Sequence, residues 1–111
     1  MKVRYIKKGE YQGSEMTVGK EYEVLGIEAD YYRIIDNSKN PFLYNPTQFV
    51  ITDSTKPDFW ISEFEEDEEQ YCYPKEWAAL GFFEDYHDRK QEAVSKFWSD
   101  CKRLYDINKS A

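Results

Sequence analysis

The sequence is poor in the residues that define several common classes of protein. It has two cysteines, four prolines and five glycines in 111 residues, and no apolar run approaches the length of a membrane span. So few cysteines exclude a disulfide-stapled secreted domain, and we expect two free thiols in a reducing cytoplasm. We expect no membrane-spanning segment. The charged residues 1–8 lack the apolar stretch of a signal peptide, so we expect none there.

Basic residues are outnumbered as well. The chain has 22 Asp and Glu against 15 Lys and Arg, a formal net charge of −7. Because affinity for nucleic acids comes mainly from Lys and Arg that neutralise phosphates, this balance argues against nucleic-acid binding. The aliphatic residues Leu, Ile and Val are also scarce. Three Trp, seven Phe and ten Tyr supply large apolar side chains instead. We therefore expect a folded domain with an aromatic core.

Residues 1–53 have the patterns of β-structure. Val3 and Tyr5 alternate with polar residues, and Tyr22 and Val24 do the same in a longer segment where Gly26 predicts a β-bulge. Turn-forming residues separate the apolar segments. The predicted strands lie near residues 2–6, 20–28, 31–36, 42–44 and 49–52, with a 3₁₀ turn at 46–48.

Three stretches of this half carry a resemblance to a known type of protein. Residues 18–24 (VGKEYEV), 32–36 (YRIID) and 46–50 (PTQFV), together with Tyr44, resemble the SH3-like barrels of small bacterial proteins. The resemblance implies a small β-barrel; some such proteins are immunity proteins in toxin–immunity systems, and many have no assigned role. Residues 1–53 contain no Trp, so a Trp-lined groove for proline-rich peptides is not expected.

Residues 54–111 have a different character. An acidic stretch leads to a strand-like segment at 70–73, and short helical segments are expected after Pro74 and at 82–86. Asp88 and Gln91 have the spacing of a capping box, which predicts a helix over 89–106. Its apolar stripe consists of Ala93, Val94, Phe97, Trp98, Cys101, Leu104 and Tyr105.

The predicted architecture is therefore a single α+β domain over residues 1–111. Residues 1–53 form a small SH3-like β-barrel, residues 54–88 an acidic part of extended chain and short helices, and residues 89–106 an amphipathic C-terminal helix packed against the barrel. The oligomeric state is left open by these patterns.

Charge is distributed unevenly along the chain. Residues 1–53 have a net charge of −1, residues 54–88 of −9 and residues 89–111 of +3. The acidic part alternates with aromatic residues, a composition typical of a solvated loop or of a docking surface for a basic partner. The residues expected to bind that partner are Trp60, Glu63, Glu65, Glu66, Asp67, Glu68, Glu69, Tyr71 and Tyr73.

Residues suited to catalysis or metal binding are few. His87 is the single histidine, and we expect a structural role for it beside a helix end. Cys101 lies on the apolar stripe, and Cys72 is expected on the opposite face of its strand from the two flanking tyrosines. The acidic run lacks the spacing and central Gly of an EF-hand. No nucleophile or phosphate-binding motif occurs, so we expect neither an enzyme nor a cofactor or metal.

The pattern as a whole favours a small cytoplasmic protein-binding module. The most concrete form of this hypothesis is an immunity protein for a basic, nuclease-like toxin. Its carboxylates at 63–69 would occupy the site in which the toxin binds the phosphates of its substrate. The alternative is a module that binds a small molecule or a single strand through the barrel tyrosines. The candidate tyrosines are Tyr31, Tyr32, Tyr44, Tyr71 and Tyr73.

Overall fold

Seven strands, two α-helices and two 3₁₀ turns make up the part of the chain that the structure describes. It is a computed structural model that describes residues 1–6, 15–64 and 68–109. The strands are β1 (Lys2–Tyr5), β2 (Glu21–Glu28), β3 (Tyr31–Ile35), β4 (Pro41–Tyr44), β5 (Phe49–Asp53), β6 (Trp60–Phe64) and β7 (Gln70–Pro74). The helices are α1 (Phe82–His87) and α2 (Gln91–Tyr105), and the 3₁₀ turns are Pro46–Gln48 and Lys75–Trp77.

The strands belong to one sheet. Five of them follow the order β4-β3-β2-β1-β5, and each pairing along that path is antiparallel. Strand β7 pairs with both β2 and β6, which places the β6–β7 pair beside β2. The five strands predicted for residues 1–53 and the strand predicted at 70–73 are confirmed. Strand β6 is additional, in a stretch predicted only to be extended.

Strand β2 is irregular at the position that the sequence predicts. Its register with β3 shifts between Val24 and Gly26. A Cβ atom at Gly26 would lie 3.1 Å from the carbonyl oxygen of Cys72, so the missing side chain leaves room for β7. The first half of β2 pairs with β1 and the second half with β3.

Residues Met1–Tyr73 form a compact unit with its own aromatic-rich core. The ring of Phe49 lies 5.6 Å from that of Tyr5, 5.9 Å from Tyr32 and 6.3 Å from Tyr44, measured between ring centroids. The core cluster consists of Met1, Val3, Tyr5, Met16, Tyr22, Val24, Ile27, Tyr32, Ile34, Phe49, Trp60 and Cys72. The predicted aromatic core is thus confirmed for this unit.

Residues Pro74–Ala111 form a second compact unit around α2. Phe97 is fully buried, and its ring centroid lies 5.0 Å from that of Trp77 and 5.1 Å from that of Tyr86. Ala93 and Cys101 are buried on the same helix, so the predicted apolar stripe is confirmed at its centre.

A buried carboxylate interrupts that stripe, which the sequence pattern did not predict. Asp100 is 6% exposed and accepts hydrogen bonds from the indole N–H of Trp77 at 3.1 Å, Lys96 Nζ at 2.9 Å and Arg103 at 3.0 Å. Three donors compensate the charge that burial would otherwise disfavour.

Helix α2 begins later than predicted, and Asp88 is not its N-cap. Asp88 is instead the C-cap of α1, and its backbone N–H donates to the carbonyls of Glu84 and Tyr86. Arg89 has a φ of 63°, and Lys90 is the N-cap without a side-chain hydrogen bond to the helix. The capping-box prediction was wrong because the backbone of Asp88 is already committed to the preceding helix.

These elements define an α+β protein in which an antiparallel sheet precedes two helices. The described strands do not close into a barrel, because no pairing joins β4 to β5 within the described ranges. The single domain over residues 1–111 and the packing of its C-terminal helix on the barrel stay predictions. In the described part of the chain, neither helix is long and apolar enough to cross a membrane.

Candidate functional site

The β6–β7 strand pair holds four of the nine residues predicted to bind a partner: Trp60, Glu63, Tyr71 and Tyr73. Side chains along a strand point alternately to its two faces. On one face the Ser62 hydroxyl lies 3.3 Å from the Cys72 thiol, and on the other the Tyr73 hydroxyl donates to Glu63 Oε2 at 3.2 Å. Cys72 is fully buried while Tyr71 and Tyr73 are half-buried, so the predicted separation of the cysteine from its flanking tyrosines is confirmed.

The predicted binding residues are divided between the core and the surface. Trp60 is 8% exposed and belongs to the core cluster, where it supports the strand pair from inside. Glu63 and Glu68 are exposed, and Glu69 is half-buried. Three further predicted residues lie outside the described part of the chain: Glu65, Glu66 and Asp67.

Two features of this surface were missed from the sequence. Phe64 is 69% exposed and Ile61 is 38% exposed, so apolar side chains lie on the strand that carries Glu63. Asp30, in the β2–β3 turn, accepts a hydrogen bond from the backbone N–H of Gln70 at 2.9 Å. In the sequence Phe64 is the one apolar break in the acidic run, although it was not among the predicted binding residues, whereas Asp30 is brought there only by folding.

We call the exposed set Asp30, Ile61, Glu63, Phe64 and Glu68 the acidic surface. Within the described ranges, neither Glu63 nor Glu68 is in an ion pair with Lys or Arg. Carboxylates without cationic partners produce a negative potential that extends into the solvent. The surface can therefore attract a positively charged group and offers it apolar contact area.

A separate pocket lies at the other tyrosines of the first unit. It has a volume of about 330 Å³ and shares no residue with the acidic surface. Strands β1 and β4, the segment after β3 and residues just before the 3₁₀ turn contribute to it. Its lining includes Tyr5, Glu15, Asp36, Phe42, Leu43 and Tyr44.

Asp36 is the most constrained group of this pocket. Its side chain is 3% exposed and accepts hydrogen bonds from the backbone N–H of Ser38 at 2.9 Å, from the Ser38 hydroxyl and from the Tyr44 hydroxyl at 2.6 Å. The pKa of Tyr44 is raised well above its ordinary value by burial, by this hydrogen bond and by the charges of Asp36 and Glu15. The pocket therefore combines aromatic rings with a negative field.

The tyrosines predicted as an alternative binding platform are divided between the core and the surface, and Tyr32 and Tyr44 are cross-strand partners on β3 and β4. Tyr32 is buried in the core, where desolvation raises its pKa, and Tyr31 is 43% exposed at the start of β3. Tyr44 belongs to the pocket, whereas Tyr71 and Tyr73 belong to β7. This division between core and surface is the one expected for tyrosines at alternating strand positions, whose side chains face opposite sides.

The side chains considered for catalysis are His87, Cys72 and Cys101. His87 is the last residue of α1, and its ring packs edge-on against Tyr86 at 5.3 Å between centroids. Both cysteines are free and buried, and burial raises the pKa of the Cys101 thiol far above neutrality. Across residues 1–6, 15–64 and 68–109, no three His, Cys, Asp or Glu side chains gather as a metal site would require.

No protein-family model, curated protein or solved structure matches the chain. Its class is therefore given by the fold and the two surfaces: an α+β protein with an acidic, partly apolar surface on a strand pair and a tyrosine-lined pocket.

Proposed function

We propose that this protein binds a basic protein partner through the acidic surface of β6 and β7. The observation that carries the proposal is the exposure of Ile61, which shares a face of β6 with Glu63, together with the exposed Phe64 at the end of the same strand. Apolar side chains contribute contact area that is removed from water on binding, and carboxylates steer the approach of a cationic surface. A purely solvating acidic loop has no need of an exposed Phe.

The more specific form of the proposal is an immunity protein for a basic, nuclease-like toxin. Such a toxin binds phosphates with Lys and Arg, and the carboxylates at 63–69 would occupy that cationic site. Support comes from the resemblance of residues 1–53 to SH3-like barrels, among which immunity proteins occur. The free, buried thiols of Cys72 and Cys101 favour a reducing, cytoplasmic location.

An SH3-like barrel is part of this proposal. The order β4-β3-β2-β1-β5 gives β2 a partner on each side, and the register shift at Gly26 allows β2 to bend between them. The 3₁₀ turn Pro46–Gln48 leads directly into β5. These features favour a sheet that curls toward closure, with the β4 and β5 edges connected by the turn.

The proposal is tested first by capture from native lysate with the tagged chain, washed at low and then at high salt. We expect a basic protein that is retained at low salt and released at high salt, because screening weakens charge-driven binding. The partner is then identified by mass spectrometry. A chain that captures no basic protein at low salt would contradict the proposal.

A charge-matched pair of variants then locates the surface on that partner. The variant Glu63→Gln, Glu68→Gln is expected to slow association several-fold at low salt. The control Glu21→Gln, Glu92→Gln changes the net charge equally at exposed positions elsewhere. Equal rates for the two variants in stopped-flow or surface-plasmon measurements would show that only net charge matters, and the proposed surface would be wrong.

A second candidate function is the binding of a small molecule, and the pocket at Tyr5 and Tyr44 is the observation that favours it. A volume of about 330 Å³ is at the lower end of the range for ligand sites, about 300–1,000 Å³. The carboxylates of Glu15 and Asp36 disfavour an anionic ligand there, which also argues against a nucleic-acid strand in this pocket.

A further inference from the structure

We propose that this pocket binds an organic cation, a guanidinium or ammonium group on a short apolar stem. The inference rests on the second candidate function and assigns its ligand class. It does not depend on a partner at the acidic surface, since the two places share no residue.

The first argument is the uncompensated charge of the pocket. Within the described ranges, the hydrogen-bond donors to Asp36 are neutral, namely the backbone N–H and hydroxyl of Ser38 and the hydroxyl of Tyr44. In the same ranges no Lys or Arg forms an ion pair with Asp36 or with Glu15. A buried carboxylate normally has a cationic partner, because hydrogen bonds from neutral groups leave its full charge in place. A bound cation would supply that partner.

The second argument is the character of the remaining lining. Tyr5, Phe42 and Tyr44 contribute aromatic rings, and the face of an aromatic ring attracts cations. Leu43 and Met16 add apolar surface that suits an alkyl stem. Aromatic rings combined with nearby carboxylates are the means by which proteins recognise alkylammonium and guanidinium groups.

The lining disfavours other ligand classes. An inorganic divalent cation takes six or more oxygen ligands or keeps several waters, and within the described ranges no three His, Cys, Asp or Glu side chains gather to hold one. An anion would be repelled by Glu15 and Asp36. A neutral ligand would leave both charges uncompensated, so the free energy of binding should favour a cation.

The test is an NMR titration of the ¹⁵N-labelled full chain with two probes of nearly the same shape. Nα-acetyl-arginine amide carries the guanidinium group, and Nα-acetyl-citrulline amide replaces it with a neutral urea. We expect the arginine derivative to shift the amide signals of Leu43, Asn45 and Gln48, which line the pocket, and to bind at least about tenfold tighter than the citrulline derivative.

Two variants identify the groups responsible. Glu15→Gln is expected to weaken binding of the arginine derivative about fivefold. Phe42→Leu, which keeps an apolar side chain but removes the ring, is expected to weaken its binding about threefold. Glu21→Gln, an exposed carboxylate outside the pocket, is the control and should leave binding unchanged. Equal weakening by Glu15→Gln and Glu21→Gln would overturn the assignment to this pocket.

The outcomes separate this inference from the function on which it rests. If both probes bind equally, the ligand class is wrong while a small-molecule site remains; if neither shifts the pocket amides, both are wrong. Agmatine, a free primary amine that carries a guanidinium group, distinguishes the source of the cation. Tighter binding of agmatine than of the capped arginine indicates a free small molecule, and the reverse indicates an arginine side chain of a protein.

Discussion

Tyr44 links the packing of the first unit to the charge of its pocket. Its hydroxyl donates to the buried carboxylate of Asp36 at 2.6 Å, and its ring lies 6.3 Å from that of Phe49. The same side chain therefore satisfies a buried acceptor and packs against the core. The donor role requires the hydroxyl to keep its proton, and the raised pKa keeps it protonated at pH values above the ordinary range of tyrosine.

The raised pKa of Tyr44 predicts how stability depends on pH. In the unfolded chain Tyr44 loses its proton near pH 10, whereas in the folded chain it does so only at higher pH. Its contribution is therefore complete below about pH 10 and is lost as the pH rises above that value. Tyr44→Phe should cost about 1–2 kcal/mol at pH 7, because Asp36 loses a donor, and the difference from wild type should shrink above pH 10.

Urea unfolding of both proteins between pH 7 and pH 11 measures this difference. Tyr31→Phe, at a tyrosine 43% exposed, removes a hydroxyl at the surface and is the matched control. Its difference from wild type should stay small throughout the range. A constant difference for Tyr44→Phe across the whole range would contradict the proposed role of the proton.

Sequence alone predicts part of the candidate sites, and only the part encoded by neighbouring residues. The acidic run and the alternation around Cys72 are local patterns, and the structure agrees with that alternation. The pocket is not local: Tyr5, Asp36 and Tyr44 come from separate stretches, which are brought together by the successive pairings β1–β2, β2–β3 and β3–β4. Asp30 reaches the acidic surface in the same way, through its hydrogen bond with Gln70.

At the scale of the elements, hydrophobic periodicity predicts strands and helices well, and their ends less well. Strand β1, the first half of β2 and helix α2 follow apolar patterns of period two and 3.6, whereas β3 and β5 are rich in β-branched and aromatic residues. Strand β6 exposes four of its five residues, as β5 does, but it has one β-branched residue where β5 has three. The start of α2 was misplaced because Asp88 has the right type and spacing for an N-cap while serving the end of α1.

The N-terminus of α2 offers a stabilising substitution. Lys90 has the extended φ and ψ of an N-cap, −68° and 119°, but its side chain makes no capping hydrogen bond. A Ser at this position can accept a hydrogen bond from the first-turn backbone N–H groups, which have no partner within the helix. Lys90→Ser should therefore raise the melting temperature by a few degrees.

Differential scanning calorimetry checks this effect, with Lys90→Ala as the control. Both substitutions remove the exposed ion pair with Asp85, and only Ser supplies a cap. The expected order of melting temperatures is Ser above wild type and Ala at or below it. Equal values for Ser and Ala would show that the cap does not form.

At the scale of the whole molecule, the presence of two compact units bears on whether the chain unfolds in one cooperative transition. Pro74–Ala111 has fewer than about 40 residues, and chains that short seldom fold alone. We therefore expect it to unfold together with Met1–Tyr73 in one transition. In a urea titration followed by NMR, the amide signals of Ile34 and Phe97 should disappear at the same midpoint. Two separate midpoints would contradict the prediction of a single domain.

Each compact unit contains one native thiol, Cys72 in the first and Cys101 in the second, and neither side chain has exposed surface. A thiol-specific alkylating reagent can reach either one only when the surrounding structure opens. Timed alkylation followed by peptide mapping therefore gives two opening rates from one unmodified protein. The chain thus contains an internal pair of kinetic reporters, one for each unit, without any engineered label.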